Sequence, residues 1–151
     1  MDNNGSASVK IRVPFYDVDM LQIVWHGNYL KYFDQARQAL FLKCGLDMPR
    51  SGEKYYIFPV IHTSIKYRYP LKLNDEFICT ATPKAAKVKL VIDFEIRLLS
   101  DGRLCATGRS EHAAVRMPES EMEFRIPKEV EKALWTIKDL NKEAIIAEDR
   151  L

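Results

Sequence analysis

The sequence predicts an α+β domain in which an antiparallel sheet packs against one long helix. Three observations lead there. From about Gly27 to Cys44, the residues Tyr29, Phe33, Ala36, Leu40 and Cys44 recur at helical spacing, with Lys31, Asp34, Gln35 and Gln38 on another face. Downstream, the apolar period drops to two and holds through several segments. Asp101-Gly102 then supplies the positive φ that a tight hairpin turn needs.

Taken in order, residues 1 to about 7 read as a flexible polar tail. Val9, Ile11 and Val13 alternate with Lys10 and Arg12, a half-buried strand that stops near Pro14. The long helix follows, and Gly45 is suited to end it. Ile61, Thr63, Ile65, Tyr67 and Tyr69 alternate with His62, Ser64, Lys66 and Arg68 up to Pro70. An Asn74-Asp75 turn leads into a strand from Glu76 to Ala81. Val88, Leu90, Ile92, Phe94, Ile96 and Leu98 give the clearest alternation in the chain. The turn at Ser100 to Arg103 opens a strand from about Leu104 to Met117. Pro127 fits the first turn of a short C-terminal helix reaching about Asp139, followed by a peripheral tail.

The expected order is therefore strand, long helix, then four strands joined by hairpins, in one domain over residues 1–151. A single helix covers one face of such a sheet. An edge or a face is left for a second copy, so the expected assembly is a homodimer, or a homotetramer built from it.

Composition narrows the function classes. A hydrophobic fraction of 47% supplies a core, and a net charge of +2 does not mark a nucleic-acid binder. Cys44, Cys79 and Cys105 are odd in number and far apart, which reads as thiols in a reducing compartment. The N-terminus lacks the apolar stretch of a signal peptide, and no run approaches the ~20 apolar residues of a membrane span. The expected location is the cytoplasm. His26, His62 and His112 lack metal-ligand spacing, so no metal is expected.

No Gly-x-Ser-x-Gly elbow, phosphate-binding loop or dinucleotide fingerprint is present. A Cys–His pair would depend on chance strand pairing, and buried thiols are the better reading. That leaves Asp17-Val18-Asp19. Aspartates favour turns and helix starts, but here the apolar run Met20 to Trp25 separates them from the helix, and Gly27 or Asn28 lies nearer its cap. A carboxylate facing a helix N-terminus makes a workable hydrolytic site. The free N–H groups and dipole stabilise a developing oxyanion, and the carboxylate attacks a carbonyl or activates water.

These residues resemble the 4-hydroxybenzoyl-CoA thioesterase family of hotdog-fold acyl-CoA thioesterases. The likeness lies in Asp17-Val18-Asp19, in Ile23-Val24-Trp25-His26-Gly27-Asn28-Tyr29, in Ala36-Arg37 and in Cys44-Gly45. It continues in Tyr69-Pro70-Leu71-Lys72-Leu73-Asn74-Asp75-Glu76 and spans roughly Val9 to Pro127. The resemblance implies a hotdog fold, with a sheet wrapped around one central helix and active sites at a dimer interface. It implies an acyl-CoA or acyl-carrier-protein thioester hydrolase, with no cofactor beyond the CoA of the substrate.

The family's second acid is catalytic, which maps to Asp19. The backbone N–H at His26 maps to the family's carbonyl-polarising donor, while the His26 side chain either lines the site or fills the helix start. Trp25, Gly27 and Tyr29 stand where substrate would bind, although Trp25 and Tyr29 fit core packing equally well. Lys84, Lys87 and Lys89 are expected to hold CoA phosphates or an acidic carrier; the alternative is a solvated strand edge. Asp34 and Arg37 read as a structural pair on the helix. One departure stands out, because Gln22 occupies a position where relatives carry glycine. It leaves room for a non-catalytic acyl-thioester-binding dimer. A hotdog dehydratase fits less well, since no suitable His and acid pairing is evident on the helix.

Overall fold

The computed structural model describes residues 5–46 and 54–136. Strand β1 (Ala7–Arg12) is followed by a 3-10 turn (Phe15–Asp17), a second 3-10 turn (His26–Asn28) and helix α1 (Tyr29–Cys44). Then come β2 (Tyr55–Ile57), β3 (Val60–Tyr67), β4 (Glu76–Ala86), β5 (Leu90–Leu98), β6 (Leu104–His112), β7 (Val115–Met117) and β8 (Glu121–Met122). The strands make a five-stranded sheet in the order β1-β4-β5-β6-β3 and a small sheet in the order β2-β7-β8. Every pairing is antiparallel.

Helix α1 lies on one face of the large sheet. It buries Tyr29, Tyr32, Phe33, Ala36 and Leu40. The sheet answers with Phe77, Cys79 and Ala81 from β4, and Ile92, Phe94 and Ile96 from β5. Phe33 stacks on Phe94 at 4.6 Å, and Tyr32 meets Phe77 edge-on at 4.9 Å. Gly108 on β6 leaves the space that the Phe33 ring occupies. Gly45 ends the helix at φ +73°, with its N–H returned to the Leu42 carbonyl.

Several expectations are corrected. Ordered strand begins at Ala7, which is buried, inside the stretch expected as a tail. β4 runs past Ala81 to Ala86, because Pro83 sits at a bulge where its missing N–H costs nothing. Val88 lies in the turn before β5 and is exposed. The strand expected from Leu104 to Met117 breaks after His112, where the Ala113 N–H turns to the Pro59 carbonyl. β3 and β4 do not form a hairpin; β3 pairs with β6 at the sheet edge, so the chain crosses over between them. Residues 128–136 are helical, and the remainder of the expected C-terminal helix lies outside the described residues. No helix among the described residues is long and apolar enough to cross a membrane, which says nothing of β-barrels.

The opposite face of the sheet is polar. Hydroxyl pairs join Ser6 to Thr82 at 2.7 Å and Ser8 to Thr80 at 2.8 Å. Arg109 forks onto Asp93 at 2.6 and 3.1 Å. A shallow trough of about 1080 Å³, with Lys66, Lys84 and Arg109 among its lining residues, runs over this face. On the helix side, β3 leaves Tyr67, Val60 and Ile61 substantially exposed, and one long edge of the strand has no strand partner among the described residues.

Candidate active site

The segment between β1 and α1 is a narrow two-stranded loop. Val18 bridges Val24, the Asp19 N–H donates to the Ile23 carbonyl at 2.9 Å, and the Trp25 N–H donates to the Asp17 carbonyl at 3.0 Å. Its tip is a tight turn closed by the Gln22 N–H on the Asp19 carbonyl at 2.9 Å. Gln22 adopts φ +63°, the left-handed conformation that suits glycine, and so the departure noted in the sequence has a backbone cause. The loop is laced to the chain before β4. Val24 N–H donates to Leu71 O at 2.8 Å, and Leu73 N–H to Gln22 O at 3.0 Å.

The two acids occupy opposite environments. Asp17 is 3% exposed. Its carboxylate accepts from the Tyr32 hydroxyl at 2.7 Å and the Lys31 ammonium at 2.5 Å. Burial and the Asp17 carboxylate push the Tyr32 phenol far above its ordinary pKa, so it stays a proton donor. Asp19 is exposed at the loop tip, and one oxygen accepts the Leu21 N–H at 2.8 Å. The loop holds the backbone of Asp19 while its carboxylate faces solvent.

Trp25 leads into the His26–Asn28 turn, which runs directly into α1. Among the described residues, the His26 and Gly27 N–H groups have no hydrogen-bond acceptor, as the first turn of a helix predicts. The His26 carbonyl is fixed by the Tyr67 hydroxyl at 2.8 Å. The Trp25 indole lies against the Gly27 Cα, where any side chain would collide with it, and the ring is 51% exposed. Asn28 stands at the N-cap of α1 as expected, but its side chain makes no capping bond; its amide donates to the Asp17 carbonyl at 2.8 Å. Tyr29 is buried beneath this surface, with its ring 5.0 Å from Tyr67 and its hydroxyl accepting the Leu71 N–H at 3.3 Å.

Asp19, Trp25, His26 and Gly27 thus share one corner of the fold. The lysines do not. Lys84 stands on the polar face of β4, and Lys87 and Lys89 lie in the turn beyond it. Lys89 pairs with Glu111. The Asp19 loop abuts the other end of β4, so about 3.3 Å per strand residue sets Lys84 roughly 26 Å from Glu76 along the strand.

Other candidate nucleophiles and bases are withdrawn. Burial raises the thiols of Cys79, Cys105 and Cys44, the last to about 11. His112 is fully buried, with Nδ1 3.0 Å from the Phe58 carbonyl and Nε2 2.7 Å from the Ser110 hydroxyl. Asp34 and Arg37 form their expected pair at 3.2 Å, and Arg37 also approaches His112. Sequence reasoning missed the roles of Lys31, Tyr32 and Asn28, although the places of Lys31 and Tyr32 as third and fourth residues of the helix, with Asn28 just before it, are a usable signal.

The profile of the Thioesterase-like superfamily matches residues 13–134. A putative esterase of Synechocystis sp. is 24% identical over 131 residues, 86% of this chain and 79% of that protein. The 4-hydroxybenzoyl-CoA thioesterase of Pseudomonas sp. is 32% identical over 77 residues, 51% of this chain and 50% of that protein. Among solved structures, a 1,4-dihydroxy-2-naphthoyl-CoA thioesterase from Synechocystis aligns with a TM-score of 0.72 at 20% identity, over 85% of this chain and 95% of that one. The chain belongs to the Thioesterase-like superfamily, and it is a hotdog-fold enzyme that hydrolyses thioesters.

Proposed function

We propose that the enzyme cleaves an acyl-CoA or acyl-carrier thioester with the Asp19 carboxylate and the N–H at His26. One observation carries the reading. Of the two acids, only Asp19 offers a carboxylate oxygen uncommitted among the described residues, and its loop is braced against a helix start whose His26 and Gly27 N–H groups lack acceptors among those residues. The substrate carbonyl would accept the N–H, which strengthens as negative charge develops on oxygen. Asp19 then attacks the carbonyl carbon, or takes a proton from the water that does. The C–S bond breaks, the thiolate leaves with the carrier, and water supplies the second oxygen of the acid. This chemistry calls for no metal and no cofactor beyond the carrier of the substrate.

The active assembly in this reading is a homodimer, or a homotetramer built from it, in the cytoplasm. The open edge of β3 supports it. So does the distance along β4: Lys84, Lys87 and Lys89 would serve the site from a second copy, where they meet CoA phosphates or an acidic carrier. Trp25 and Gly27 would border the acyl group, with Tyr29 as the buried support beneath them. The two named CoA thioesterases take aromatic acyl groups by name, and the exposed Trp25 ring gives such a group an apolar face.

A panel of aryl- and alkyl-CoA thioesters, assayed by thiol release, tests the substrate class. Asp19→Asn should lose about 10²–10⁴ in turnover with its melting temperature unchanged. Full activity in that variant would refute the assignment.

A further inference from the structure

We infer that Asp17 is the positioning residue for Asp19, clamping the loop to the first turn of α1. The inference rests on the reading of Asp19 as the reacting carboxylate. It starts from the number of partners that meet at Asp17. The side chain accepts from Tyr32 and Lys31, neighbours on the helix. The backbone carbonyl accepts from the Trp25 N–H and the Asn28 amide. One residue therefore joins the outgoing arm of the loop, the turn that presents the free N–H groups, and the helix behind them.

Asp19 is two residues away on the same arm, and its N–H is bonded across the loop to Ile23. A tilt of the arm about Asp17 moves the Asp19 carboxylate relative to the His26 and Gly27 N–H groups. Catalysis is sensitive to such a movement, since a shift of about 1 Å costs on the order of 10²-fold in rate.

A buried carboxylate is a poor choice for stability alone. Well-packed apolar residues commonly do as well as a buried ion pair. What the ion pair adds is direction. Tyr32 is held by Phe77 and Tyr29 and carries a fixed hydroxyl. Lys31 is half exposed, passes within 5.8 Å of the Tyr16 ring, and closes the clamp from the solvent side. Its contribution to stability is small because it is solvated. Its contribution to geometry need not be.

The test uses five variants, Asp19→Asn among them, and the acyl-CoA that the wild-type enzyme turns over fastest. Asp17→Asn keeps an acceptor for Tyr32 but sets an amide against Lys31. It should lower kcat by about 10–100-fold and leave KM within about twofold. Lys31→Met should lower kcat by several-fold in a protein that is still folded at the assay temperature, and Lys31→Arg should restore most of it. The double variant Asp17→Asn/Lys31→Met should be no slower than Asp17→Asn alone, because both act through one contact. Where Asp17→Asn fails to fold, the Lys31 pair decides the matter. Wild-type kcat in folded Asp17→Asn, or in Lys31→Met, while Asp19→Asn is inactive, would overturn the inference and leave Asp19 standing. Full activity in Asp19→Asn would instead remove the catalytic reading itself.

Discussion

Acidifying the solution from pH 7 toward 4 should weaken the fold through His112. The ring is fully buried on β6, with Nδ1–H donating to the Phe58 carbonyl and Nε2 accepting from Ser110 in the neutral form. Burial lowers its pKa to about 4; the Phe58 carbonyl opposes this, Arg37 adds to it and Asp34 opposes it. An unfolded histidine takes up its proton near pH 6.5. Between the two values the unfolded chain binds more protons than the folded one, so stability falls as pH falls. The contribution is whole above 6.5 and gone below 4. A gap of about 2.5 pH units at about 1.36 kcal/mol each comes to about 3 kcal/mol. Urea unfolding of the wild type and of His112→Gln at pH 7.5 and 4.5 would measure it. Other groups titrate in both proteins, so the difference between the two drops isolates the histidine. The drop should be smaller in the variant by about 2–3 kcal/mol. Equal drops, or an NMR titration of the ring with a midpoint near 6.5, would refute the reasoning.

Gln22→Gly should relieve the left-handed backbone at φ +63° and stabilise the enzyme by about 0.5–1 kcal/mol after the entropy of glycine is counted, read as a higher melting temperature. Gly108→Ala should cost about 1–3 kcal/mol in urea unfolding, because its new methyl would strike the Phe33 ring that is stacked on Phe94. Replacing Lys84, Lys87 and Lys89 together with Ala should raise KM for CoA substrates with kcat preserved. The wild-type KM should climb with salt and the variant's should not; identical salt curves would return these lysines to a solvated surface.

The parts of the fold that were legible in the sequence are those whose side chains feel two different sides. β5 alternates cleanly because Leu90, Ile92, Phe94 and Ile96 face the helix while Asp93 and Glu95 face the polar side. Helix α1 and its stop at Gly45 were legible for the same reason, with Tyr32 the one buried helix residue left out of the stripe. β4 runs past its expected end at Ala81, since the bulge that lets Pro83 sit in the strand leaves no mark in the sequence. β2 and β8 are three and two residues long, too short for any period to show. At the site, the acids and the helix start were legible because they are adjacent in the chain. The Asp17 clamp was not, since nothing in the sequence says which carboxylate turns inward. Nor could the spacing of residues 84 to 89 reveal which end of the sheet they occupy.

The length of β4 matters wherever two kinds of chain share a cell. It sets the lysine end and the Asp19 end of one protomer roughly 26 Å apart along the strand, and in the proposed dimer each chain lends one half of a site and borrows the other. A chain without Asp19 still lends sound lysines, and a chain without the lysines still lends a sound carboxylate. In a mixed pair of an Asp19-less chain and a lysine-less chain, one of the two sites then holds both sound halves. A catalytically dead chain in excess would leave each healthy partner one working site, because the dead chain still lends its lysines.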